Sequence, residues 1–256
     1  MRVILISILS ILVVGMSLLT LRFWGLGRSP DEFDHPWFHR PAPWLILPYA
    51  SKDPDFQTKI QAHLHTGAIF WIYVYQSKEE NIFALSAPMP LIEGAYPEAD
   101  LAKAGRPLKE VLIEMKDQDL ILDVESNREN MDLQISDLVG KAGNGHILIQ
   151  SEFEVLLRSI KRLQPLWLYG SSEAERVRFM TFDSIGIGPA TPFKGDIYVG
   201  PLKYKNLKLM TPSIMAELKR RQTRVILGPL ENQADWDQAK SLGADGLFLA
   251  SPALVN

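Results

Sequence analysis

Residues 209–254 read LMTPSIMAELKRRQTRVILGPLENQADWDQAKSLGADGLFLASPAL, and their pattern decides the architecture. Apolar residues at helical spacing predict a helix over 212–221, and a short apolar run predicts a strand over 224–227. A second helix over 233–242 then leads to a second strand over 246–249. Two βα units in succession imply parallel strands joined by crossover helices.

The same alternation extends toward the N-terminus. A strand is predicted over 44–47 and a helix over 53–65, with Phe56, Ile60 and Leu64 at four-residue spacing and Gly67 closing it. Residues 68–75, AIFWIYVY, are β-branched and aromatic, the signature of a strand buried on both faces. Helices follow over 107–115, 129–139 and 152–163, and strands over 120–124, 147–150 and 166–169. A less regular middle separates these from the C-terminal units. Seven or eight βα units without a Gly-rich dinucleotide fingerprint favour a closed (β/α)8 barrel of TIM type, in the α/β class, over an open sheet.

The 256 residues fit one such barrel, since these domains run to about 250 residues. A hydrophobic share of 46% with 22% charged residues is ordinary for a globular core. A net charge of −3 and no Lys/Arg run exclude attraction to nucleic acid. The absence of cysteine excludes disulfides, thiolate metal sites and thiol catalysis. Residues 3–21 carry no charge and are flanked by Arg2 and Arg22, long enough to cross a bilayer as a single transmembrane helix. The run lacks a small-residue cleavage motif, which favours an uncleaved signal anchor over 1–27. The expected location of the remainder is periplasmic or extracellular. Residues 28–43, RSPDEFDHPWFHRPAP, carry four prolines and read as an extended tether.

The C-terminal segment resembles glycerophosphodiester phosphodiesterases, with its Thr211-Pro212 helix start, Gly243-Ala244-Asp245-Gly246 and Pro252. Residues 107–112 (PLKEVL) and 120–125 (LILDVE) are similar to that family's Leu-x-Glu-x-Leu helix and Glu-x-Lys strand, and 147–153 (ILIQSEF) to its Ser-Phe strand. The resemblance covers roughly 44–255 and implies a barrel domain over 44–256. It also implies a phosphodiester hydrolase with two histidines and a divalent cation held by carboxylates of the second and third strands.

Most of those groups lack a counterpart. Matching Gly67-Ala68 to the family's Gly-Ala places Ile72 and Val74 where the two carboxylates of the second strand would stand, on one face of the barrel mouth. The His-Arg-Gly position falls at Pro48-Tyr49-Ala50, the His-Asp position near 85–87, and a terminal Thr-Asp at Leu249-Ala250. Asp123 fits the glutamate of the third strand, while Glu125 replaces a lysine. Asp123 is therefore the only matching metal-ligand position, and no cofactor is expected; Mg²⁺ or Ca²⁺ enters only if the chain is an enzyme.

Asp123 and Glu125 remain the candidate catalytic pair, facing one side near the end of a central strand; the alternative is a salt-bridged or solvated pair. Gln150, Ser151 and Tyr169 end two neighbouring strands and could hydrogen-bond a ligand such as a phosphodiester or lipid headgroup. His39-Arg40 is either a displaced catalytic pair or part of the tether. His63 and His65 read as surface residues two apart on a helix, and His146 as structural. Three functions follow: a non-catalytic envelope barrel binding a ligand or partner at its mouth, a phosphodiesterase with an altered site, or an envelope scaffold.

Overall fold

The computed structural model describes residues 2–24, 34–90, 92, 94–143, 145–204 and 207–255. Helix α1 covers Arg2–Trp24. Its side chains are described from 6 to 20, and these, including Ile6, Ile11 and Val14, are exposed apart from half-buried Gly15. Among the described residues no helix is long and apolar enough to cross a membrane.

Among the described residues eight parallel strands form the barrel: β1 (Trp44–Pro48), β2 (Ile69–Gln76), β3 (Asp119–Val124), β4 (Ile147–Gln150), β5 (Leu168–Tyr169), β6 (Ile197–Gly200), β7 (Arg224–Leu230) and β8 (Gly246–Leu249). Their order around the sheet is β5–β4–β3–β2–β1–β8–β7–β6. The crossovers are α2 (Pro54–Ala62), α3 (Glu98–Ala104) with α4 (Leu108–Glu114), α5 (Met131–Ala142), α6 (Glu154–Leu163), α7 (Glu173–Ser184), α8 (Pro212–Arg220) and α9 (Gln233–Leu242). Local chemistry starts several of these helices. Asp53 accepts from the amides of Asp55 and Phe56, Thr211 from Ile214, and Asn232 from Asp235. Ser172 and Glu175 form a reciprocal capping box.

The barrel is nearly closed. Between β5 and β6 the ladder of backbone bonds gives way to side chains. Asp196 accepts from the Tyr169 amide at 2.9 Å while its own amide donates to the Tyr169 carbonyl at 2.8 Å. Ser171 Oγ donates to the Val199 carbonyl and accepts from the Val199 amide. These two residues close the seam that the two-residue β5 is too short to close by itself. The strand β6 and helix α7 lie in the stretch that looked irregular in sequence. A further departure is the β2–β3 connection, where Ile82–Leu85 pairs antiparallel with β2 and with Gly105–Pro107.

Side chains alternate between two cores, as the pleat requires. Trp44, Ile46, Ile69, Trp71, Tyr73, Tyr75, Ile121, Leu148, Leu168, Ile197, Val199, Ile226 and Phe248 fill the barrel interior. Phe70, Ile72, Val74, Leu122, Val124, Ile149, Tyr169, Tyr198 and Leu249 face the helix layer. Trp71 stacks on Phe248 with ring centroids 4.5 Å apart, setting a solid layer across the interior.

The segment before β1 differs from an open tether over the residues that are described; 28–33 lie outside them. Pro36–His39 forms a 3₁₀ turn that plugs the barrel at the N-terminal ends of its strands. Trp37 is 0% exposed, lies edge-on to Trp44, and donates from Nε1 to Asp119 Oδ1 at 3.0 Å. Arg40 pairs with Asp119 at 2.6 Å, and His146 contacts the same carboxylate at 3.1 Å. The hydrophobic demand of an indole over an open barrel end outweighs the extended bias of the prolines. His39 stays on the surface beside Asp34, so this His-Arg pair lies at the end opposite the mouth. His63 caps α2 and His65 sits beyond it at φ 65°, its ring against Gln118, so the two do not share a helix.

Because this plug is buried and hydrogen-bonded, Trp37→Ala is expected to destabilise the fold by roughly 3–5 kcal/mol. Urea unfolding of the full chain checks this. A loss below roughly 1 kcal/mol would mean that the turn is not seated on the barrel.

Candidate functional site

The C-terminal ends of the strands, where barrels of this kind carry their chemistry, hold two layers of inward-facing polar residues. Strand register makes Tyr73 and Gln150 the cross-strand neighbours of Asp123, forming the lower layer. One step outward along the strands come Tyr75, Glu125, whose amide continues the ladder to the Val74 carbonyl, and Glu152. Met89 donates its amide to Tyr75 Oη at 3.0 Å, and Tyr96 meets the Tyr75 ring edge-on at 6.0 Å. The β2–β3 connection thereby leans over one side of the mouth.

Ile72 and Val74 do not face this mouth. Both are fully buried in the outer core against the helices. The inward positions of β2 near the mouth belong to Tyr73 and Tyr75, because a shift of one residue exchanges the two faces of a strand. The chemical outcome of the correction is specific: phenol rings, rather than branched hydrocarbon, stand beside Asp123.

Asp123 is 7% exposed, and Glu125 follows it two residues on, on the same side of the chain. Burial pushes the Asp123 carboxyl well above the ordinary range, and the neighbouring Glu125 and Glu152 push it further, against the opposing pull of Arg176. Glu125 is raised by burial and by Glu152, while the neighbouring Asp123 works the other way. Both shifts run in the direction expected of two neighbouring carboxyls taken out of water, toward higher proton affinity. Burial also raises the phenols of Tyr73 and Tyr75, with Asp123 and Glu125 adding to it, so both stay neutral.

The neighbouring groups are a mixture of free and committed. Gln150 is 3% exposed; its Nε2 donates to the Ser171 carbonyl at 3.2 Å, and its Oε1 has no partner among the described residues. That amide lies over Gly170, where a Cβ would come within 1.8 Å of Oε1, so the glycine makes room for it. Ser151, by contrast, is consumed by structure. Its Oγ donates to the Val124 carbonyl at 2.7 Å and accepts from the Phe153 amide. Tyr169 points the wrong way for a ligand, into the helix layer, where its hydroxyl donates to the Gln164 carbonyl at 2.7 Å. Both depart from the ligand-binding expectation. In Tyr169 the cause is strand parity; in Ser151 it is the loop's own need for hydrogen bonds.

Arg176 went unnoticed in the sequence. Buried on α7, it donates to the carbonyls of Ser171 and Val199 and pairs with Glu152 Oε1 at 3.2 Å. Its position follows from the capping box that starts α7 at Ser172, a signal legible in the Ser-x-x-Glu spacing. Nothing in the sequence separates it from exposed arginines nearby.

No model of a protein family matches the chain, and no curated protein matches it. Solved structures do. A glycerophosphodiester phosphodiesterase from Parabacteroides distasonis superposes with a TM-score of 0.62 at 11% identity, over 82% of this chain and 93% of that one. One from Agrobacterium tumefaciens gives 0.58 at 11% identity, over 84% and 97%. An Oleispira antarctica phosphodiesterase, solved in complex with the product sn-glycerol-3-phosphate, gives 0.55 at 16% identity, over 82% and 92%. The chain has the fold of these enzymes.

The divalent cation implied by the family resemblance does not fit the residues present. A hard cation takes several oxygen ligands, commonly more than one ionised carboxylate. Here the inward side of β2 offers two phenols, and burial raises the proton affinity of Asp123 and Glu125. Among the described residues no group of three His, Asp or Glu side chains is placed to hold a metal. The mouth as built can exchange a proton, donate and accept hydrogen bonds, and present negative charge.

The carboxyl pair is a burden on the fold. Its proton affinity is raised in the folded state, so folding favours the neutral form. The burden is absent below the ordinary carboxylate range and grows as pH rises through it. Glu125→Gln should therefore stabilise the protein at neutral pH by roughly 0.5–2 kcal/mol, with a smaller gain in acid. Denaturation at two pH values tests this, and a destabilised variant at neutral pH would contradict the raised proton affinity of the pair.

Proposed function

We propose that this chain is a membrane-anchored, diverged relative of the glycerophosphodiester phosphodiesterases that binds a ligand at its barrel mouth without hydrolysing phosphodiesters. The observation that carries the proposal is the pair of phenols, Tyr73 and Tyr75, on the inward side of β2 beside Asp123. Hydrolysis of a phosphodiester needs its charge neutralised and a proton delivered to the leaving oxygen. The mouth instead carries the carboxyls of Asp123, Glu125 and Glu152, and the buried guanidinium of Arg176 is already engaged by Glu152. That balance repels a phosphate anion.

Anchoring is proposed from the uncharged run 3–21 within α1. The barrel domain would then lie in the periplasm or outside the cell. The plug at 36–39 follows α1 closely in the chain and sits at the floor of the barrel, so the mouth would open away from the membrane.

A second reading has one observation in its favour. A buried carboxyl with raised proton affinity at a barrel mouth is the kind of group that serves as a general acid. In that reading Asp123 and Glu125 act on glycerophosphodiesters or phospholipid headgroups with Mg²⁺ or Ca²⁺.

Release of glycerol 3-phosphate from glycerophosphocholine, with Mg²⁺, with Ca²⁺ and with a chelator, separates the two. The proposal expects no turnover above the protein-free rate in any condition. Metal-dependent turnover that vanishes in Asp123→Ala would establish the enzyme instead.

A further inference from the structure

Two neighbouring loops at the floor of the barrel differ from the others in what they expose. The loops entering β2, β3 and β7 are tipped by polar residues, among them Thr66, Lys116 and Gln222. Those entering β5 and β6 instead expose Leu163, Leu166 and Ile185, the last two at 73% and 64%. Both runs are uncharged, from Leu163 to Ser172 and from Ser184 to Phe193. The two strands they enter are joined at the seam that Asp196 closes, so the exposed side chains belong to one corner of the floor.

The loop into β6 also pairs much of its own backbone. The amides of Ile185 and Gly186 donate to the Asp183 carbonyl, that of Ile187 to Phe182 and that of Thr191 to Gly188, while Pro189 and Pro192 have no amide to satisfy. Arg221 donates to the carbonyls of Gly188, Pro189 and Thr191, and its charge is met by Glu217 at 2.7 Å. On an ordinary exposed loop water serves such groups; beside lipid they must be paired within the protein. Helix α1 lies alongside this same loop, at the 3₁₀ turn Gly188–Ala190. A cavity of about 450 Å³ opens between the loop and α8, with Asp183, Ser213 and Arg220 in its lining. An apolar tip is thus followed by a polar flank, the order of surroundings met across a bilayer interface.

We propose that this corner of the floor, through Leu163, Leu166 and Ile185, dips into the interfacial layer of the bilayer that holds α1. The proposal rests on the membrane anchoring given above and names the surface that seats the barrel. Because α1 adjoins the loop, a bilayer around α1 reaches the loop as well. Taking the three side chains out of water favours that seat, and the paired backbone removes the main cost of taking it.

The chain has no cysteine, so single labels are unambiguous. Four full-length variants, Val14→Cys, Val155→Cys, Leu166→Cys and Ile185→Cys, are labelled with nitrobenzoxadiazole and reconstituted into phosphatidylcholine vesicles with or without doxyl-labelled phosphatidylcholine. All four side chains are exposed, and circular dichroism confirms that each labelled variant is folded. Val155 is 72% exposed, like Leu166, but lies in the first turn of α6, at the opposite end of the barrel. The expected result is blue-shifted emission and loss of fluorescence to the doxyl lipid at 14, 166 and 185, with no change at 155. Loss at 14 without loss at a folded 166 or 185 variant overturns the proposal and leaves the anchoring standing. No loss at 14 overturns the anchoring, and the proposal with it. A blue shift at 185 that the doxyl lipid does not quench means that a protein covers this corner, and equal loss at 155 means that the barrel is not seated by its floor; either result overturns the proposal. The labels at 166 and 185 are independent, so one remains informative if the other variant does not fold.

Discussion

The alternation of side chains along β2 is the constraint on which the rest depends. Every residue from Ile69 to Gln76 is buried, so each must satisfy either the helix layer or the barrel interior. Phe70, Ile72 and Val74 take the outer face, and Trp71, Tyr73 and Tyr75 the inner one. Three large rings on one inward edge fill the barrel from the Phe248 stack up to the mouth. That filling excludes water from the space around Asp123. With water excluded and no facing cation on β2, burial favours the protonated form of the Asp123 carboxyl.

A barrel built this way keeps its architecture and changes its electrostatics. The floor is tied by Asp119, which gathers Trp37, Arg40 and His146 around one carboxylate. The seam between β5 and β6 is tied by Asp196 and Ser171. These bonds are independent of the mouth, so the inner rim can exchange carboxylate for phenol without unravelling the strands. Arg176, the guanidinium beside Glu152 at the rim, is spent on two backbone carbonyls and that carboxylate.

Much of the fold was legible because apolar runs and helical spacing survive strong divergence. The strands Ile147–Gln150 and Gly246–Leu249 and the helix Gln233–Leu242 have the bounds their patterns predict. Strand β6 escaped because Ile197–Gly200 is short and sits among prolines and glycines, and α7 because its buried face, Phe179 with Glu175 and Arg176, is largely polar. The site was less legible, for a geometric reason. A run apolar on both faces carries no parity signal, so Ile72 and Val74 could be exchanged for Tyr73 and Tyr75 with no visible inconsistency. Tyr169 failed by the same parity. Asp123 and Gln150 stand opposite each other in the strand register, on strands that the apolar runs locate. The orphaned state of Gln150 Oε1 and the burial of Arg176 belong to tertiary structure alone.

The central claim is that the inner rim of β2 offers phenols where a divalent ion would need ionised oxygen. Titrating the protein with Mn²⁺ and following the free-ion electron paramagnetic resonance signal measures this directly. The account predicts that the free signal grows in proportion to added Mn²⁺, with no stoichiometric loss, and that Asp123→Ala leaves the titration unchanged. Loss of one equivalent of signal in the parent protein, restored by Asp123→Ala, would contradict it.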